Sequence, residues 1–340
     1  MIKYILKRIG FSLLTIILAS SLLFILLQFM PGKPWDTQKT DPATQARLED
    51  EYDLDEPLAL QYIKYMGGVF GFVIEIDDSA VQSVDYQVIP TFGDKWRGDK
   101  QPVLDTVRVQ YPISVSIGVR GLILGLIVGL FFGVISALKR NTFWDHALTM
   151  IAVVGVSVPS FVFATILQYY IGFKLQQQPF IQNIPILGDI PIAYDIASPS
   201  MSRVLPAFAL SLFVIASLTR FMRTELVDVL GSDYILLARA KGLNKTKVII
   251  KHAIRNALIP VITVIGPLSL AILAGSVVIE KIFAIPGMGG ELVSAIQNQD
   301  NPLILGLAFF YTFLYVTIIL IVDVSYGVID PRVRVSGGDA

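Results

Sequence analysis

Six long stretches of this 340-residue chain hold no Asp, Glu, Lys or Arg, or only one such residue. They cover residues 9–30, 113–138 (broken only by Arg120), 147–173, 204–219, 256–279 and 301–322. A helix needs about 20 apolar residues to cross ~30 Å of hydrocarbon, and five of the six stretches satisfy that. The fourth, 204–219, is short, but Arg203 and Arg220 flank it and can snorkel outward to lengthen its usable span. The expected fold is therefore an all-α integral membrane protein with six transmembrane helices. The first stretch follows Lys3, Lys7 and Arg8. It is too long for a signal peptide and shows no small-x-small site before Pro31, so it reads as an uncleaved helix.

Composition narrows the field further. Hydrophobic residues make up 54% of the chain and charged residues 16%, well below the roughly 25% of soluble domains. There is no cysteine, which excludes disulfides, thiolate nucleophiles and cysteine metal sites. Lys plus Arg and Asp plus Glu balance at 27 each, which argues against a nucleic-acid partner. The neutral sum hides an asymmetry. With the N-terminus inside, the inner segments carry fifteen Lys/Arg and the two short outer loops only three. The positive-inside rule then places both termini in the cytoplasm. The outer segments sum to −9 and the inner ones to +8, with Arg120 supplying the last charge.

This topology divides the chain into four parts. Residues 1–30 form the N-terminus and first helix, and 31–112 a sizeable extracytoplasmic segment. Residues 113–322 form the remaining membrane domain, with a cytoplasmic loop at 220–256, and 323–340 form a cytoplasmic tail. In the outer segment, the acidic run 47–56 reads as a solvated helical face. Leu58, Tyr62, Tyr65, Met66 and Val69 recur at helical spacing. Residues 73–76 and 86–89 read as short strands.

The second span carries Gly121, Gly125, Gly129 and Gly133 at four-residue intervals. Small residues on one face let a neighbouring backbone come close, which suits tight packing and equally a contact that slides during transport. Arg120 lies roughly 10 Å into that span at ~1.5 Å per residue. It either lines a pathway or snorkels to the outer surface. Residues 285–290, Ile-Pro-Gly-Met-Gly-Gly, make a sharp turn, so Pro286, Gly287 and Gly289 belong either to a pathway mouth or to a structural bend.

Catalytic chemistry is hard to place. His146 and His252 fall in separate segments, G-x-S-x-G is absent, and residues 93–101 lack the Lys-Ser/Thr ending of a phosphate loop. No catalytic or metal-binding residue is expected, and no cofactor bound by this chain. The acid-free spans argue against an ion-gradient-driven secondary transporter or channel, the main alternative. An integral-membrane enzyme would need a catalytic cluster near one face, and none is evident.

The inner loop 220–255 is the most informative segment. Ser232 is placed to cap a short helix, Gly242 to end it in a left-handed conformation, and Asn244 to cap a second helix. Tyr234, Leu237, Ala238 and Lys241 share one side of the first helix. It could enter a protein groove or rest on anionic lipid. Here the sequence resembles the membrane subunits of ATP-binding-cassette importers, specifically the first permease of oligopeptide and dipeptide systems. DYILLARAKGL followed by HAIRNALIP is similar to that family's coupling motif, though its Leu-Pro lies farther from the glycine than in the wider importer family. YILKRIG, LLQFMPGKP, YDLDEPLALQYIKY, QPVLDTV, GSVVIEKIFAIPGMGGELVSAI and VIDPRVR extend the likeness along most of the chain. Residues of about 73–100 stand as an insertion with no family role.

The resemblance implies a multi-pass permease of the cell (inner or plasma) membrane that forms half of a peptide pathway. Its implied partners are a second homologous permease, two ATPase subunits carrying ATP and Mg, and an extracellular or periplasmic substrate-binding protein. Tyr234, Leu237, Ala238, Ala240, Lys241, Gly242 and Leu243 would couple the chain to the ATPases.

Overall fold

The computed structural model describes residues 2–30, 32–33, 35, 41–77, 80–86, 90–96, 101–178, 180 and 190–329. It is a helical protein with a single β-hairpin among those residues. The helices are α1 (Ile2–Gln28), α2 (Pro42–Glu51), α3 (Leu58–Val69), α4 (Val103–Leu138), α5 (Phe143–Ser157) and α6 (Ser160–Leu167). They continue as α7 (Val204–Leu230), α8 (Asp233–Ala240), α9 (Arg255–Ile282), α10 (Met288–Gln297) and α11 (Asn301–Ile329). Five helical segments are long and apolar enough to cross a membrane, and the bent pair α5–α6 makes a sixth if counted as one span. The chain forms two compact units. One comprises Ile113–Gly289 and the chain from Ile318 on, and the other Ile2–Pro112 with Gly290–Thr317.

In the first unit the organising helix is α7. In its apolar stretch 61% of residues are buried, against 33% or less in the other four long candidate spans. The sequence made this the weakest span because the uncharged run stops at Arg220. The helix continues to Leu230, and the charge of Arg223 is neutralised inside the fold by Asp145. The third expected span, 147–173, is not one helix: α5 and α6 are bent by 106° at their break. Pro159 lacks an amide hydrogen and pushes Val158 into an extended conformation, with φ −80° and ψ 121°. Beyond α6 the chain widens into a π-helical turn, Gln168–Lys174. There Gln168 Nε2 donates to the carbonyls of Ile282 (2.8 Å) and Ile192 (3.1 Å).

The glycine row of α4 lies against α7. A Cβ placed at Gly125 would be 2.6 Å from Val214 Cβ, at Gly129 2.9 Å from Leu218 Cβ, and at Gly133 2.7 Å from Met222 Cβ. At Gly121 it would meet the Ala207 carbonyl at 3.0 Å. Two rows of four-residue period thus interlock. Thr219 Oγ1 lies 3.3 Å from the Gly129 carbonyl across the same contact.

In the second unit, α3 forms where its apolar spacing predicts. Phe24 of α1 stacks on Tyr65 and meets Tyr62 edge-on, each at 5.4 Å, and Ser21 Oγ bonds the Tyr62 hydroxyl at 2.6 Å. Burial pushes the Tyr65 hydroxyl up to about 12. The acidic run is not simply a solvated face. Lys64 reaches Asp53 (2.9 Å) and Glu56 (2.6 Å), and Lys33 pairs with Glu49. The hairpin pairs β1 (Phe72–Asp77) with β2 (Ala80–Tyr86), with an irregularity between Glu75 and Ile76. The first expected strand falls within β1. The second is displaced: β2 ends at Tyr86, where that strand was expected to begin, and 87–89 lie outside the described residues. The end of the 323–340 tail, from residue 330, also lies outside them.

Replacing Gly125 by Leu is expected to lower stability by about 1–3 kcal/mol through overpacking, read as a fall in the thermal midpoint of the purified protein. Gly10→Leu is the control, because no atom lies within 4 Å of a Cβ built there. Equal midpoints for the two variants would contradict the α4–α7 contact.

Candidate functional site

The segment between α7 and α9 folds as a short helix held at a sharp bend. Gly242 adopts φ +73°, the left-handed region a glycine enters without a Cβ penalty. Leu243 N donates to the Ala238 carbonyl (3.4 Å) and Gly242 N to the Arg239 carbonyl (2.9 Å). These two bonds make a Schellman ending that satisfies the last carbonyls of α8. Asn244 Oδ1 accepts from Thr246 N at 3.1 Å and starts the next turn, Lys245–Lys247. That turn widens into a π-helix, Val248–Ile254, before α9. Ser232 does not cap α8 with its side chain; its hydroxyl donates back to the Val229 carbonyl at 2.6 Å.

The faces of α8 divide differently from the expected side. Ile235 and Ala238 are buried in the same cluster as Leu226, Val248 and Ala253, with Leu243 packed against it. Tyr234, Leu236 and Leu237 are exposed at 42%, 54% and 56%, and Ala240, Lys241 and Gly242 are also exposed. Ala238 therefore fastens the helix inward rather than sharing the outer face with Tyr234 and Leu237. A residue three before a buried one points the same way on a helix, which makes Ile235 its partner.

A charge network that the sequence did not reveal lies where α4, α5 and α7 meet. Asp145, at 1% exposure, receives Arg223 through two bonds, Nε to Oδ1 at 2.6 Å and Nη2 to Oδ2 at 2.8 Å. Ser136 Oγ adds 2.5 Å to Oδ1, and the Asn141 amide 2.9 Å to Oδ2. The forked guanidinium suits such bidentate pairing. The sequence signal was slight: one carboxylate in the short segment 139–146, and an arginine 78 positions away.

Glu280 forms a second buried acidic site. The expected fifth span stopped one residue before it, whereas α9 runs on to Ile282 with Glu280 fully buried. Asp145 and Glu280 both lie just outside the acid-free runs 147–173 and 256–279, in helical turns that extend beyond them. Gly289 N donates to Glu280 Oε2 (2.8 Å) and Met288 N to Ser114 Oγ (2.9 Å), so polar side chains satisfy amides at the start of α10. A Cβ at Gly287 would lie 2.5 Å from Glu280 Oε2, so this approach needs glycine. Gly287 and Gly289 thus stand beside the Glu280 carboxylate, with Pro286 in the turn before them. Arg120 is exposed and donates to the Ser200 carbonyl at 3.2 Å, and Arg203 donates to Ser116 Oγ at 2.9 Å. Among the described residues, no three His, Cys, Asp or Glu are grouped to hold a metal ion.

Arg223→Met is expected to destabilise the fold by about 3 kcal/mol, because it leaves the Asp145 charge buried. Asp145→Leu combined with Arg223→Met should recover part of that loss in the thermal midpoint. Additive losses would show that the two side chains do not interact.

Two family models match the chain, one at each end. Residues 129–335 match the binding-protein-dependent transport system inner membrane component, and residues 1–118 its N-terminal companion. The dipeptide transport system permease proteins of Lactococcus lactis and Bacillus subtilis are each 38% identical to it. Each comparison covers 98% of this chain and, respectively, 100% and 98% of the relative. The oligopeptide transport system permease protein of Haemophilus influenzae is 32% identical over 98% of the chain and its own whole length. The chain belongs to the binding-protein-dependent transport system inner membrane components, as a multi-pass permease subunit of the inner membrane rather than an enzyme.

Proposed function

We propose that this chain forms half of the membrane pathway of an ATP-driven peptide importer. Similarity to dipeptide and oligopeptide permeases over nearly the full chain carries this reading. A second, homologous permease supplies the other half of the pathway. Two cytoplasmic ATPase subunits hold ATP and Mg, and an external binding protein delivers the peptide. Both termini and the 220–256 loop face the cytoplasm, while 31–112 lies outside. The excess of basic residues in the inner segments supports this orientation.

In this reading α8 docks into a cleft of the ATPase. The exposed Tyr234 and Leu237 make the contact, with Ala240 and Lys241 at its end. Ala238 and Leu243 hold the helix to the permease, and Gly242 sets the bend. Closure of the two ATPases on ATP displaces α8, and the packed helices behind it follow as a two-state shift. The α4–α7 contact and Arg120 are the parts of the unit placed to respond, with Pro286, Gly287 and Gly289 at the outer end of α9.

Leu237→Glu tests the docking directly, because an exposed residue can change without disturbing the core. The variant is expected at normal abundance, with peptide uptake and co-purification of the ATPase both reduced at least about tenfold. Unchanged co-purification and uptake would contradict the assignment of α8. Orientation is open to labelling, since the chain has no native cysteine. A cysteine in place of Asp50 should react with an impermeant maleimide in intact cells, and one in place of Leu237 only after permeabilisation.

A further inference from the structure

Within the second unit a cavity of about 700 Å³ opens between the end of α1, α3 and the first turn of α11. Its size falls in the usual range of small-ligand sites, roughly 300–1,000 Å³. Aromatic rings dominate one side. Tyr52 and Trp96 stand 5.8 Å apart, with Trp35 behind them at 5.8 Å from Tyr52 and 5.7 Å from Trp96. Trp35 is buried, so the group is anchored.

The surrounding charge is acidic. Lys64 lines the cavity but is already bridged to Asp53 and Glu56. Asp94, also on the wall, is exposed and makes no side-chain bond among the described residues. Burial, and then the charges of Asp300 and Asp94, push the Tyr52 hydroxyl above its ordinary range, so this corner carries negative potential. Asn301 Oδ1 on the same wall is shielded from solvent and accepts no hydrogen bond. An aromatic face under negative potential, with a spare acceptor nearby, suits an ammonium group.

We propose that this cavity receives the amino-terminal ammonium of a short peptide, seated on the Tyr52 and Trp96 rings with Asp94 as its counter-ion. The inference rests on the peptide-import reading and adds to it a site on the permease itself, in the segment assigned to the outer face. A primary ammonium also occurs on the phosphoethanolamine headgroup of lipids. The peptide is favoured because Asn301 offers an acceptor and no described cation of the wall is left unpaired to hold a phosphate.

Equilibrium dialysis of labelled trialanine against the purified transporter complex, without its external binding protein, tests this. Saturable binding is expected, weakened about tenfold for N-acetyl-trialanine and about tenfold by Asp94→Asn, as loss of an ammonium contact implies. Asp94→Glu should retain it, and phosphoethanolamine should not displace it. No saturable binding, equal binding of the acetylated peptide, an unchanged Asp94→Asn variant, or displacement by phosphoethanolamine would overturn the inference. Uptake into proteoliposomes with every partner present is measured alongside. Uptake without this binding removes the site alone, whereas absent uptake counts against the importer reading itself.

Discussion

The close approach of α4 and α7 is the contact on which the first unit depends. Inside a bilayer, apolar side chains gain little by leaving lipid for one another, so helix association rests on van der Waals packing and polar links. Packing of that kind weakens steeply with separation. Four glycines in register remove the side chains that would keep the axes apart. The partner positions Leu210, Val214, Leu218 and Met222 follow at the same period and fill the space. The contact is thus distributed over four turns, and no single residue carries it. A surface without side-chain knobs also has few obstacles to small displacements along its length, which suits a subunit that must rearrange without unfolding.

Charge inside this apolar fold is tolerated because each group is matched by dedicated partners. Asp145 accepts from Arg223, Ser136 and Asn141, so the cost of removing it from water is met by bonds that only one arrangement of α4, α5 and α7 provides. Glu280 takes a backbone amide at the start of α10 and defines how the chain leaves α9. These acids belong to fixed hydrogen-bonded arrangements, unlike the exchangeable carboxylates expected along an ion pathway.

Much of this was readable from residue order, and the gaps have physical causes. Uncharged runs reveal spans because a bilayer penalises charge. That signal stops at Arg220, although α7 continues past it, since the fold neutralises Arg223 with a residue far away in sequence. Local signals worked where the interaction is local: Gly242 and Asn244 behave as their chemistry dictates. Ser232 does not, because the Val229 carbonyl at the end of α7 competes for its hydroxyl. The run 147–173 reads as one span because its composition carries no charge at the break, whereas the structure turns there by 106° and packs α6 against α7 and α9. The short inner helix is singled out through its resemblance, while its inward and outward faces required coordinates.

That division of faces shows how a helix of only eight residues is held in place. An isolated helix of this length has negligible stability in water. Here Ile235 and Ala238 share a buried cluster with Leu226 of α7 and Val248 beyond the bend, and the Schellman turn closes the carbonyl end. The outer face, Tyr234 and Leu237, is thereby attached to α7 within two turns of Arg223. Under the proposed docking, a push on that face would pass to the Asp145 network and the glycine contact rather than into a loop. In the importer reading, stiffness at α8 and low resistance along α4 are complementary requirements: one delivers the displacement and the other accommodates it.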